Sequence, residues 1–369
     1  MSVLLIHNEQ EYYAGAERML INHVIGLQAA DIRNAAMAVA GTRVFKELSK
    51  RTRTIPLPGN QPFSTGNFAR QAIAGMREID PFERTIVHGW SARDWDTTAI
   101  IGRMTASPTM GTLHDHPAAP FISPARKRLM KLSAKGLDKI VCVSDAVRQA
   151  CLAQHYAPDR LVTIHNGIAS ATPALQSSSR GLTLGFLGAF SRRKGLSLLF
   201  DVITEFAAHH PTGWRLRLAG APQDDEGRSL WRELEDRHSA AKWWPQVELC
   251  GWLDDPQEFL SGLDLLLFTS QDFDPFPTVI LEAGQCGTPV LAADVGGVSE
   301  MISENINGWL FSPARPVEAA SRMVTLVKAR AKLRRIRKRA SEHILRNFSL
   351  GKMIEEYGRV YSTLRGDDQ

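Results

Sequence analysis

The sequence predicts an α/β protein built from two doubly wound, Rossmann-like parallel-sheet domains with an interdomain cleft. Three observations predict it. The 369 residues exceed what one ordinary core holds, so two domains are expected. Short apolar runs alternate with helical patterns along the chain, as in a parallel sheet covered by helices on both faces. The small, polar, proline-containing stretch ASATPALQSSSRG at 169–181 breaks that rhythm, which then restarts. The domains are therefore placed at 1–168 and 182–345, with 169–181 as linker and 346–369 as a closing helical segment.

Val3–Ile6 forms the first strand, and the turn-like EYYAGAE leads to a helix over Glu17–Gln28, where Leu20, Ile21, Val24 and Leu27 recur at helical spacing. Further strands are expected at Ala36–Ala40, Thr85–His88, Lys139–Val143 and Leu161–Ile164. The second domain receives strands at Leu182–Leu187, Arg215–Ala219, Val247–Leu249, Leu263–Phe268 and Val290–Ala292. Ligands of such sheets bind outside the carboxyl ends of the strands. The loops that follow strands are therefore where chemistry is sought.

At 44% hydrophobic and 22% charged, the composition is that of a soluble globular enzyme. No apolar run approaches the roughly eighteen residues of a membrane span. MSVLLIHNEQ lacks a basic lead, a sustained apolar stretch and a cleavage site, so a first strand is expected there and not a signal peptide. Cys142, Cys151, Cys250 and Cys286 show no metal-ligand spacing, which suits unpaired thiols in the reducing cytoplasm.

The net charge of +5 is unevenly placed: KARAKLRRIRKR, 328–339, carries eight basic side chains in twelve. A second cluster, in PFISPARKRLMKLSAKG, interleaves Arg126, Lys127, Arg128, Lys131 and Lys135 with Phe121, Ile122, Leu129, Met130 and Leu132. Such patches suit an anionic membrane surface or an anionic substrate, and equally a solvated helix face. No nucleic-acid motif accompanies them, so no nucleic-acid partner is expected.

In LGFLGAFSRRKG, 184–195, an apolar strand ends at Gly188, and Arg192, Arg193 and Lys194 precede a helix that starts near Gly195. Three adjacent cations there suit a phosphate, Lys as a point charge and Arg as a bidentate fork. Ordinary loop charge gives the same pattern. DFDPFPTVILEAGQCGTPV, 272–290, holds Asp274 and Glu282 eight positions apart around Phe276, Pro277 and Thr278. Leu281-Glu282-Ala283-Gly284 is expected to begin a helix, with Glu282 in the early turn where the macrodipole favours a carboxylate. Backbone N–H groups at that end would also suit a diphosphate, leaving Glu282 for ribose hydroxyls.

Residues 274–300 closely resemble the signature of retaining glycosyltransferases of family 4, the group 1 glycosyl transferases, which have the two-domain GT-B fold. That family carries two glutamates separated by seven residues; here Asp274 stands for the first and Glu282 is the second. Other landmarks follow in order: Gly15-Ala16-Glu17-Arg18, Thr112-Leu113-His114-Asp115, Val143-Ser144, Asn166-Gly167, Gly188 to Gly195, Asn307-Gly308, and Phe348-Ser349 with Tyr357. Three positions depart from the pattern besides Asp274: Ala189 for an arginine, Ala14 for a glycine, and His165 for a proline.

The resemblance implies transfer of a sugar, with retention, from a nucleotide-diphosphate donor to a hydroxyl of a glycan or lipid-linked acceptor, in cell-envelope or glycoconjugate synthesis. It implies no metal and no cofactor beyond that donor, and a last segment crossing back onto the first domain. His114, Asp274 and Lys194 are the catalytic candidates, with His114 and Asp274 on the transferring sugar and Lys194 on the leaving diphosphate. Gly15, Gly188, Arg192, Arg193, Phe276, Pro277, Thr278 and Glu282 join Asp274 and Lys194 as donor-binding residues. His88 is either a crevice group or packing, and Trp90, Trp243 and Trp244 are either sugar platforms or core. Rival readings are a sugar-nucleotide epimerase of the same fold, or an inactive homologue serving as a binding partner.

Overall fold

The structure, a computed structural model, describes residues 1–9, 14–58, 65–78, 85–170 and 181–366, without the side chains of 65–68, 330–332 and 334. Most of the expected linker, 171–180, lies outside the described residues, as do the first three residues of EYYAGAE. The chain divides into two compact units, Met1–Ala169 with Leu350–Gln369, and Ser170–Ser349.

The first unit runs β1 (Ser2–His7), α1 (Gly15–Ala29), β2 (Arg33–Val39), α2 (Arg43–Ser49), β3 (Arg53–Leu57), α3 (Thr65–Met76), β4 (Ile86–Gly89), α4 (Trp95–Thr105), β5 (Thr109–Leu113), α5 (Pro124–Ala134), β6 (Lys139–Cys142), α6 (Asp145–Ala153) and β7 (Leu161–Thr163). The second runs β8 (Leu182–Leu187), α7 (Leu196–His209), β9 (Trp214–Ala219), α8 (Asp225–His238), β10 (Val247–Gly251), α9 (Gln257–Ser261), β11 (Leu265–Phe268), α10 (Thr278–Gln285), β12 (Val290–Ala293), β13 (Gly308–Phe311), α11 (Pro316–Lys328) and α12 (Arg330–Asn347). A last helix, α13 (Leu350–Arg365), returns to the first unit.

Every strand pairing among the described residues is parallel. The seven-stranded sheet has order β3-β2-β1-β4-β5-β6-β7, the six-stranded one β10-β9-β8-β11-β12-β13. Central strands are buried at every position, as β1, β4 and β12 are, because helices cover both faces. That burial explains why they read as unbroken apolar runs and not as alternation. The order changes direction between β1 and β4 in one sheet and between β8 and β11 in the other. Such switch points leave the loops beyond the strand ends splayed, and ligands settle there.

Three strands go beyond the sequence reading. β3 carries Pro56, which a sheet tolerates because β3 is an edge strand. β5 (TMGTL) and β13 (GWLF) are short and contain glycine, which weakens the strand signal. Along α12, which carries most of the basic run, Leu333, Ile336 and Ala340 are buried, and Arg337 turns inward to donate to the carbonyls of Ser261 and Leu263. Arg335, Lys338 and Arg339 form its exposed face.

Helix α13 joins the first unit through Met353, Ile354, Tyr357 and Tyr361, one buried face at helical spacing. Its first amide, of Leu350, donates to the Ile168 carbonyl at 2.8 Å. Ile354 seats against Gly26 of α1, where an added Cβ would lie 2.3 Å from Ile354 Cγ1. Gly26→Ala should therefore destabilise the protein by about 1–3 kcal/mol through overpacking. Chemical denaturation checks this, with a lowered midpoint and unchanged slope as the expected result.

Candidate functional site

At the switch point of the second sheet, the loop after β8 and the loop after β11 are locked by backbone contact. Gly195, with φ +69°, ends the first loop, and a Cβ there would fall 1.6 Å from the Thr269 carbonyl oxygen. Only glycine allows that approach. The Gln271 amide donates to the Arg193 carbonyl at 3.2 Å, and the Ser191 hydroxyl accepts from the Lys194 amide at 3.2 Å. Gly296, φ +57°, comes as close from the turn after β12: its Cβ would lie 2.1 Å from the Asp274 carbonyl, which accepts the Gly297 amide at 2.9 Å.

These contacts bring two predicted side chains together. Lys194 Nζ lies 2.7 Å from Asp274 Oδ2, and the Ser270 hydroxyl approaches the same oxygen at 3.4 Å. The pair is lopsided: 25% of the Lys194 side chain is exposed but only 6% of Asp274. The ammonium therefore faces outward from a sunken carboxylate. Helices α7 and α10 start beside it, neither with a side-chain cap, so first-turn N–H groups add positive potential.

The other predicted donor residues separate. Gly188 is half-buried, and its carbonyl would sit 1.9 Å from a Cβ on Gly220, so loops after β8 and β9 also meet closely. Arg192 turns to the surface acids Glu233 and Glu226 of α8, at 3.4 and 3.8 Å. Arg193 is exposed and makes no ion pair among the described residues. Phe276 is buried against the Phe348 ring, 5.4 Å between centroids; Pro277 is buried and Thr278 half-buried.

Glu282 requires a correction. Helix α10 begins at Thr278, directly after Pro277, so Glu282 lies in its second turn and not at its start. A proline disfavours helix in the residue before it, and Pro277 itself is extended, with φ −66° and ψ 116°, so the helix starts only after it. The macrodipole thus does not stabilise Glu282; it is a 9%-exposed side chain on the helix flank.

In the first unit, the candidates gather beyond β1, β4 and β5. Gly15 is the first residue of α1, preceded by exposed Ala14, whose amide donates to Glu17 Oε2 at 2.8 Å. His114 follows β5. Its Nε2 is buried without a partner among the described residues, while its ring bonds the Trp90 backbone and lies 5.1 Å from the Trp90 indole. Burial is the main cause that lowers the His114 pKa to about 4, so the ring is neutral at pH 7. A neutral, unpartnered buried nitrogen is a ready acceptor for a ligand hydroxyl.

His88 is a packing group: Nδ1 meets the Tyr361 hydroxyl and Nε2 the Thr112 hydroxyl, both at 2.8 Å. Tyr361 also contacts His23 Nε2 at 3.0 Å, completing a buried chain under Trp90. Trp90 donates to the Ala16 carbonyl at 2.8 Å and so ties the start of α1 to β4. Trp243 and Trp244 pack on Phe200 in the second core, at 6.0 and 5.9 Å, and are not sugar platforms. The sequence does not single out His7 or Asp94: a histidine closing an apolar strand is the only available signal, and SARDW gives none. Among the described residues, no three His, Cys, Asp or Glu side chains group so as to hold a metal ion.

Comparison with known proteins places these features. The family model described as glycosyl transferases group 1 matches 181–329, and that of glycosyltransferase family 4 matches 13–171. An uncharacterised glycosyltransferase of Methanocaldococcus jannaschii is 24% identical over 273 residues, 72% of this chain and 71% of that protein. The N-acetyl-alpha-D-glucosaminyl L-malate synthase of Bacillus anthracis is 30% identical over 124 residues, only 34% of this chain and 32% of that one. Anabaena HepE in complex with UDP superposes with TM-score 0.84 at 20% identity, covering 98% and 100% of the two chains. HepE in complex with UDP-glucose gives 0.83 at 21% identity, with the same coverage.

The buried imidazoles make stability pH-dependent. Burial lowers His23 to about 3, His114 to about 4, and His88 well below 6.5, so the unfolded chain binds more protons than the folded one below about pH 6.5. Stability should fall on acidification from there, by up to about 1.4 kcal/mol per pH unit for each such ring. Melting temperatures at pH 7 and pH 5 check this, and His23→Asn should lessen the drop.

Proposed function

We propose that this chain, which belongs to glycosyltransferase family 4, the group 1 glycosyl transferases, moves a sugar from a nucleotide-diphosphate donor to a hydroxyl of a glycan or lipid-linked acceptor with retention of configuration. The Lys194–Asp274 pair at the switch point of the second sheet carries the reading. Cleaving a sugar–diphosphate bond leaves negative charge on the departing oxygens and positive character on the anomeric carbon. Charge fixed in advance is the largest catalytic contribution in such reactions. Lys194, with the uncapped starts of α7 and α10, meets the departing diphosphate, and no metal is required.

Asp274, fixed by Gly296 and Gly297, takes sugar hydroxyls, and Glu282 takes the ribose. His114 accepts a hydroxyl of the transferring sugar at Nε2. The acceptor hydroxyl attacks from the face of the leaving group, whose phosphate receives its proton, so no side-chain base is assigned. Gly15, Gly188 and Arg193 line the donor; Arg192, tied to Glu226 and Glu233, is a secondary contributor. UDP-glucose is the first donor to test, because HepE is solved with it.

Lys194→Ala and Glu282→Ala should each lower transfer from UDP-glucose by on the order of 10²–10³-fold while circular dichroism stays unchanged. Activity of the wild type should persist in excess EDTA. Wild-type turnover by either variant, or EDTA inhibition reversed by Mn²⁺, would refute the assignment.

A membrane-side acceptor is favoured by α5. Phe121 and Leu132 are 67% and 66% exposed beside exposed Arg128, Lys131 and Lys135, although Met130 is buried. No described helix is long and apolar enough to cross a membrane. This segment suits peripheral contact with an anionic cytoplasmic leaflet. Sedimentation with phosphatidylglycerol vesicles at low salt checks it: Phe121→Ser with Leu132→Ser should release the protein, and a wild type that stays in the supernatant rules the contact out.

A further inference from the structure

The switch point of the first sheet holds a buried group of titratable side chains that the proposed reaction leaves unused. His7 ends β1, is 1% exposed, and neither ring nitrogen has a hydrogen-bond partner among the described residues. It lies between carboxylates from two other elements. Nε2 is 3.5 Å from Glu17 Oε1 on α1, and Nδ1 is 3.9 Å from Asp94 Oδ2 ahead of α4. Both acids have other donors as well: Glu17 through the oxygen turned away from His7, and Asp94 through both of its oxygens, including the one that faces His7. Glu17 Oε2 accepts the Ala14 amide at 2.8 Å; Asp94 accepts the amides of Asn8 and Ser91 and the Ser91 hydroxyl, each at 2.8 Å.

We propose that His7 is a positioning residue for sugar transfer: it holds the Glu17 carboxylate against the Ala14 amide and thereby fixes the start of α1 at Gly15. This role rests on the reading that the start of α1 meets the donor. Two carboxylates buried beside one imidazole favour its charged form. Burial pulls the His7 pKa down, but the close Glu17 and the charges of Asp94 and Glu9 outweigh it and raise the value above 6.5. Glu9 is itself held by Arg93 at 2.7 Å. From the end of β5, His114 faces the same group, and the His7 charge helps keep it neutral.

Because the folded pKa is raised, the His7 contribution is fully present below about pH 6.5 and is lost as pH rises through the folded value. The test follows the protection factor of the Ala14 amide and the KM for UDP-glucose from pH 6 to pH 9, in the wild type, His7→Gln and Glu17→Gln. Expected in the wild type is a fall in Ala14 protection and a rise in KM over the same pH interval. Both variants should show the high-pH behaviour throughout, with KM raised about tenfold, as for loss of one charge-assisted hydrogen bond, and kcat changed less. Unchanged Ala14 protection and an unshifted KM profile in the variants overturn the proposal; Glu17→Gln decides the matter if His7→Gln does not fold. A wild type that binds no UDP-glucose defeats the functional reading instead, and the Ala14 protection profile alone still decides the role of His7.

Discussion

The meeting of Lys194 and Asp274 is imposed by backbone, because two left-handed glycines bring their loops closer than any side chain permits. Gly195 lets the loop after β8 touch the Thr269 carbonyl, and Gly296 lets the turn after β12 press on Asp274. The ammonium and carboxylate therefore meet at 2.7 Å without either loop being free to drift. A carboxylate exposed by only 6% is costly unless neutralised. The lysine supplies that neutrality and keeps its outer side toward solvent. An anionic ligand arriving there finds a cation already oriented, beside two uncapped helix starts.

The two sheets use their switch points differently. The second presents fixed positive charge with one deep acid, which suits a departing diphosphate. The first is lined by buried imidazoles. His23, His88 and His114 are held neutral by burial, whereas His7 is drawn toward its charged form by two acids. One histidine is thus an acceptor and another a counter-charge, although both sit beyond adjacent or near strands of one sheet. Tyr357 and Tyr361 of α13 cap this cluster, which makes the last helix part of the first core.

Strand positions were legible because central parallel strands are mostly apolar: β1, β6, β8 and β11 all fall within or beside the expected segments. Two edge strands and one interior strand escaped, since Pro56 in β3 and glycine in β5 and β13 hide their signal, whereas the edge strands β7 and β10 were expected. The order of motifs exposed Lys194, Asp274 and His114, whose local sequence is distinctive. Glu282 was misplaced along its helix because the proline that sets the start also reads as part of the preceding loop. His7 and Asp94 stayed hidden, since 86 residues separate Asp94 from the Asn8 amide it holds and only the sheet brings them together.

If the Lys194–Asp274 pair receives the anionic part of a nucleotide sugar, a crystal structure with UDP-glucose will reveal it. Diphosphate oxygens should then lie about 2.7–3.2 Å from Lys194 Nζ, with the sugar beside Asp274. A nucleotide bound elsewhere, with the ion pair undisturbed and no phosphate near the ammonium, would show that the pair serves only the fold.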